Sequence, residues 1–67
     1  MIIKIDIEKE KDDFLIIVEH LNSPIQTKKE KLKTMGEVKK IINSYKKLGA
    51  NIVIDTTSKE IAMEVLK

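Results

Sequence analysis

The sequence predicts a small single-domain α+β protein with element order β-β-β-α-β-α, in which one sheet carries two helices packed on one face. Two observations lead to this class. Isoleucines alternate with charged residues near the N-terminus, which is the period of a strand. An apolar stripe at helical spacing follows a capping pattern at residue 34. Because 67 residues leave no room for a second core, we assign residues 1–67 to one domain.

The first two predicted strands form a hairpin. Ile3, Ile5 and Ile7 alternate with polar residues and predict a half-buried strand. The polar residues 8–13 predict its loop, and because they contain no Asn-Gly or Asp-Gly pair we expect a loop longer than two residues. The run FLIIV at residues 14–18 is apolar on both faces, so it predicts a central strand that continues to about residue 21. Asn, Ser and Pro at residues 22–24 end it.

A lysine-rich segment follows. A helix is the competing interpretation of KKEKLK. However, such a helix would continue through Thr34, which has the capping spacing of a residue that begins a helix. We therefore predict a third strand over residues 26–33, at an edge of the sheet. Lysines on an edge strand hinder pairing with other chains and keep the edge solvated. The four lysines of this segment are Lys28, Lys29, Lys31 and Lys33.

The remaining elements alternate between helix and strand. Thr34 and Glu37 have capping-box spacing, and Gly49 suits the left-handed residue that ends a helix. Residues 50–55 predict a short buried strand entered directly from that helix. Thr57 and Glu60 repeat the capping spacing before a short terminal helix. The predicted apolar stripes are Met35, Val38, Ile41, Ile42, Tyr45 and Leu48 on the first helix, and Ile61, Ala62, Val65 and Leu66 on the second.

The composition argues against an enzyme. The chain has no cysteine and a single histidine, His20, for which we predict a structural role because no serine and acid pair with it at catalytic spacing. Asp12 and Asp13 lack the alternating oxygen ligands of a calcium loop and are interpreted as solvated turn residues. We expect no cofactor, no metal and no membrane association, and a cytoplasmic location.

The charge is distributed unevenly along the chain. Residues 1–23 hold three lysines against six acidic residues, a net charge of −3, whereas residues 24–49 hold eight lysines against two, a net charge of +6. Residues 50–67 carry −1. Such segregation marks either a binding surface or a self-complementary surface, on which the acidic part of one copy meets the basic part of another.

The lysines are the candidate functional residues. A polyanion such as nucleic acid could follow the third strand and the outer face of the first helix. Missing arginine and scarce aromatics remove the usual means of base readout and stacking, so we favour a solvated face. The candidate polyanion-binding set is Lys28, Lys29, Lys31, Lys33, Lys39, Lys40, Lys46 and Lys47.

The junction at residues 55–59, DTTSK, is a second candidate. Hydroxyl groups, a lysine and free N–H groups at a helix start could hold a phosphate. No glycine-rich loop accompanies them, so helix capping is the preferred interpretation.

The expected function is binding without catalysis. We predict a regulatory or adaptor-like protein that contacts another protein through a sheet edge or a helix face; the alternative is nucleic-acid binding through the lysines. A chain this short gains stability by burying an edge strand or its terminal helix against a second copy, so we also predict a homodimer.

Overall fold

The protein folds as one four-stranded mixed sheet with both helices on the same face. This computed structural model describes residues 1–21 and 27–66. The predicted α+β class and element order are confirmed. In chain order the elements are β1 (Ile2–Glu10), β2 (Asp13–His20), β3 (Lys28–Leu32), α1 (Met35–Lys47), β4 (Asn51–Asp55) and α2 (Lys59–Val65).

The strand order across the sheet is β3-β2-β1-β4. Neighbours are antiparallel except for β1 and β4, which are parallel. β2 is central and β3 is an edge strand, as predicted. The predicted end of the second strand at residues 22–24 and the predicted start of the third at residue 26 lie outside the described residues.

The core lies between the sheet and the helices. Every second residue of β1 and β2 faces the helices, so the isoleucine alternation places one side of each strand inside. Both helices contribute two buried residues each. The buried residues are Ile3, Ile5, Ile7, Ile16, Val18, Val38, Ile42, Ile61 and Val65.

The β1–β2 hairpin differs from the prediction of a longer loop. The strands run to Glu10 and Asp13, which pair with each other, so the loop contains only Lys11 and Asp12. Lys11 has φ 58°, in the left-handed region that favours glycine. The tight turn is therefore made without the glycine or asparagine that signals it in sequences, at the cost of backbone strain.

Replacing the strained turn residue should stabilise the protein. Lys11→Gly removes the penalty for a left-handed non-glycine residue, and the added freedom of the unfolded chain offsets only part of it. We expect the free energy of unfolding to rise by roughly 0.5–1 kcal/mol, measured by urea titration. Lys9→Gly is the matched control: it places glycine within β1 and should lower stability. A loss of stability in Lys11→Gly would contradict the strain assigned to this residue.

Both ends of α1 follow the prediction. The Glu37 N–H donates to Thr34 Oγ1 at 3.2 Å, and the Thr34 hydroxyl donates to the Glu37 carboxylate at 3.2 Å. At the other end Gly49 has φ 80°. Its N–H donates to the Lys46 carbonyl, and the Ala50 N–H donates to the Tyr45 carbonyl, a Schellman arrangement.

Three finer predictions are wrong. Leu48, placed on the apolar stripe, is 69 % exposed because it is the C-cap residue of α1, where the helix ends. Ser58, not Thr57, caps α2 by accepting from the Ile61 N–H. Leu66, assigned to the second stripe, is 79 % exposed because α2 ends before it.

The fourth strand was predicted as buried but lies at the second edge of the sheet. Its inward residues Ile52 and Ile54 are half-buried, and Val53 on the opposite face is 48 % exposed. Within the described residues β1 is its only strand partner. Burial between two neighbouring strands therefore does not explain why this strand is apolar.

Candidate binding surfaces

Charged side chains of both signs lie on the sheet face opposite the helices. Pairing places Lys29, Ile17, Asp6 and Asp55 in one row across the four strands. The neighbouring row runs through Lys31, Leu15 and Glu8. In these two rows the lysines lie on β3 and the carboxylates on β1 and β4, whereas Lys4 of β1 places one positive charge beside Asp55.

Asp6 of β1 lies on this face close to other carboxylates. Burial raises the pKa of its carboxyl above the usual 3.8, and the nearby carboxylates of Asp55 and Glu8 raise it further. Lys4 lowers this pKa, but its ammonium group also lies 3.6 Å from Asp55. Ionised Asp6 therefore opposes folding.

Removing this charge should stabilise the protein in a pH-dependent way. The folded-state pKa lies above the unfolded one, so the penalty is absent below pH 3.8 and grows as pH rises through the folded pKa. We expect Asp6→Asn to raise the free energy of unfolding at pH 7 by roughly 0.2–1 kcal/mol, the scale of a cross-strand pair. The gain should vanish near pH 3, as followed by urea unfolding. Asp12→Asn, in the exposed turn, is the control. Destabilisation by Asp6→Asn at pH 7 would mean that contact with Lys4 dominates.

The lysines of β3 do not share one surface. Lys29 and Lys31 lie on the open face, whereas Lys28 alternates to the helix side. Lys28 Nζ lies 3.0 Å from Glu30 Oε1, and this hydrogen bond raises the pKa of Lys28. Lys31 Nζ lies 4.0 Å from a carboxylate oxygen of Glu10. Lys33 is exposed beyond the strand end.

The α1 lysines are also divided. Lys40, Lys46 and Lys47 are exposed, but Lys39 is half-buried and donates to Glu64 of α2 at 3.4 Å. The predicted ridge of four lysines therefore contains three exposed members and one that joins the two helices. The structure does not bring the eight candidate lysines together on one face.

His20 packs against an aromatic side chain of α1. The His20 ring meets the Tyr45 ring edge-on, with centroids 6.1 Å apart. This contact joins the end of β2 to α1. Asp12 lies in the exposed turn, and Asp13 is the first residue of β2. Across residues 1–21 and 27–66 no three histidine or acidic side chains cluster as a metal site would require.

The junction between β4 and α2 already contains an anion. Thr57 donates to the Glu8 carboxylate from its hydroxyl at 2.6 Å and from its N–H at 3.1 Å. The Thr56 hydroxyl accepts from the Ser58 N–H at 3.2 Å. The two bonds from Thr57 join the junction to β1, and this use of its donors fits the capping interpretation better than a phosphate site.

The outer edge of β4 was missed by sequence reasoning. The Asn51 N–H donates to the Met1 carbonyl of the adjoining chain segment at 2.9 Å. Because N–H groups alternate in direction along a strand, Ile52 and Ile54 turn their N–H and C=O groups away from β1. Unlike β3, this strand has no lysine. The signal available in the sequence was the run IVI with no charged residue inside it.

An apolar groove borders the same edge. It has a volume of about 320 Å³ and lies between β4 and α2. Exposed apolar side chains occur on the same two elements and at the C-cap of α2: Val53, Met63 and Leu66. The groove lining comprises Ile52, Ile54, Asp55, Thr56, Ala62, Val65 and Leu66.

Comparisons with known proteins assign neither a family nor a function to this chain. A scan against protein-family models, a search of curated proteins and a search of solved structures each found no match. No helix in the described part of the chain is long and apolar enough to cross a membrane.

Proposed function

We propose that this protein is a non-enzymatic binding protein that contacts another protein through the outer edge of β4 and the groove beside it. The observation that carries the proposal is the difference between the two sheet edges. β3 bears three lysines, which oppose strand pairing, whereas β4 presents Val53 and two outward-facing backbone units with no such protection.

An extended segment is the kind of partner this edge suits. Backbone hydrogen bonds to Ile52 and Ile54 would supply affinity, and alternate side chains of the added strand would enter the groove. Apolar side chains of β4 and α2 make up most of the groove lining, with Asp55 and Thr56 at one end of β4, so the groove favours mainly apolar side chains at those positions. Specificity therefore resides in every second residue of the bound strand.

Photocross-linking at the edge tests this function. A benzophenone amino acid replaces Val53 in the full chain, and the same probe replaces Leu48, also exposed and apolar but at the end of α1, as the control. We expect nuclease-resistant protein adducts from position 53 in extract of the source cells, and few from position 48.

The adducts also decide between function classes. Equal labelling from both positions, or no protein adduct from position 53, would contradict the proposal. A nuclease-sensitive adduct, with binding lost on changing the exposed lysines to glutamine, would favour nucleic-acid binding instead. That outcome is tested separately because none of the candidate lysines belongs to β4.

A further inference from the structure

We propose that the partner of the β4 edge is a second copy of this chain, bound antiparallel about a two-fold axis at Val53 to form an eight-stranded sheet. This inference rests on the proposed binding function and names its partner. It is argued from the strand's direction, its side-chain order and the groove beside it.

The geometry restricts the pairing register. A two-fold axis perpendicular to the sheet keeps both pairs of helices on one side, so side chains facing each other must belong to the same face. Shifting the register by one residue would set core-facing residues against open-face residues. The axis must therefore pass through a residue position, and Ile52, Val53 and Ile54 are the three central choices.

Two of these choices create mismatches. Centring on Ile52 brings Ala50 into the ladder, but the Ala50 N–H already donates to the Tyr45 carbonyl at 3.2 Å. Centring on Ile54 sets Val53 directly against Asp55 of the second copy, an apolar residue against a carboxylate. Only the Val53 centre avoids both.

The Val53-centred register matches every residue of the strand. Ile52 of one copy faces Ile54 of the other, and these residues carry the outward backbone groups, so each such pair exchanges two hydrogen bonds. On the open face Val53 meets its own symmetry mate. Asn51 faces Asp55 of the second copy, and its amide can donate to that carboxylate. The sequence NIVID is thus complementary to itself when reversed.

The second edge of the sheet does not share this property. β3 set against its own copy would place lysines near lysines, because charged residues occupy four of its five positions. At β4 the two grooves would lie side by side, and the exposed side chain of Leu66, which lines the groove, would face the opposite α2. The pairing therefore covers apolar surface as well as backbone groups.

Solution mass and a charged substitution test the dimer. Light scattering of the purified full chain should give twice 7.7 kDa at high concentration and fall on dilution. Val53→Lys should weaken the dimer by at least about tenfold, since it sets two ammonium groups together at the axis. Val53→Thr, which keeps β-branching, and Leu48→Lys, which adds the same charge elsewhere, should retain it.

Single cysteines test the register, because the chain has none of its own. Non-hydrogen-bonded antiparallel pairs have Cα atoms about 4.5 Å apart, within reach of a disulfide. Val53→Cys should therefore cross-link with itself under mild oxidation. Asn51→Cys and Asp55→Cys should cross-link efficiently only when the two variants are mixed.

The results separate this inference from the broader function. A monomer at all concentrations, or cross-linking of Asn51→Cys alone as efficient as that of Val53→Cys, would overturn the proposed dimer. If the probe at position 53 then labelled a different protein, the binding function would stand with another partner. If it labelled no protein, both would fall.

Discussion

Ile5→Ala should lower the free energy of unfolding by roughly 2–5 kcal/mol, the cost of deleting a buried isoleucine side chain beyond Cβ. Ile5 is fully buried and sits between Val18 of β2 and Ile54 of β4 in the sheet. A domain of this size has a total stability of roughly 3–10 kcal/mol. The substitution should therefore remove a large share of the total stability.

Ile2→Ala is the matched control for this prediction. It makes the same chemical change in the same strand, but Ile2 lies on the open face and is 39 % exposed. Far-UV circular dichroism during urea titration measures both variants. Similar losses in the two would mean that the helix-covered face is not the main core.

Gly49→Ala should lower the free energy of unfolding by about 1–2 kcal/mol. No atom crowds a Cβ at this position, so the cost arises from φ 80° alone. Only a residue in the left-handed region can direct the N–H groups of residues 49 and 50 back to the last turn of α1. The thermal midpoint should fall on the order of 10 °C.

The other glycine provides the opposite control. Gly36 lies in the first turn of α1, where a Cβ would meet only Thr34 Oγ1 at 3.8 Å, an ordinary contact. Gly36→Ala should therefore raise stability, by up to about 1 kcal/mol, because alanine loses less entropy in a helix. If Gly49→Ala proved as stable as Gly36→Ala, the left-handed helix end would not be needed.

Local signals predicted most of the fold. The alternation of Ile3, Ile5 and Ile7 fixes which face of β1 is buried, because side chains point to opposite faces in turn. Thr34 and Gly49 bracket α1 because each satisfies backbone groups within a few residues of itself. Such features depend on near neighbours in the chain, and these are visible in the sequence.

Strand order is different, because it depends on contacts between distant segments. Residues 50–55 are as apolar as a central strand, but the chain reaches them after crossing the sheet and pairs them with β1 alone among the described strands. The outward backbone groups of Ile52 and Ile54, and hence the candidate site, follow from that order. The predicted edge at β3 was confirmed, but the edge that carries the proposals was not anticipated.

The candidate lysines show the same difference between local signals, which the sequence reveals, and contacts between distant segments, which it does not. A helical projection groups Lys39 with Lys40, Lys46 and Lys47, and that grouping is sound for an isolated helix. It cannot include α2, whose Glu64 binds Lys39 across 25 residues of chain. Likewise, the short turn at Lys11 has no glycine or asparagine signal, so its length could not be predicted from turn preferences.

The parallel pairing of β1 with β4 has a consequence for the order of events during synthesis. Ile3 pairs with Ile52, so β1 receives its second neighbour only after almost fifty further residues have been synthesised. Until then the nascent hairpin exposes the edge of β1, whose isoleucines have no partner on that side. The entropy of closing this long loop is lost before the β1–β4 contacts can stabilise the sheet. Because the sheet is completed by strands that are distant in sequence, folding is slowed. Lysines at the β3 edge can discourage aggregation on one side of the nascent sheet, but the other side is protected only by the arrival of residues 51–55.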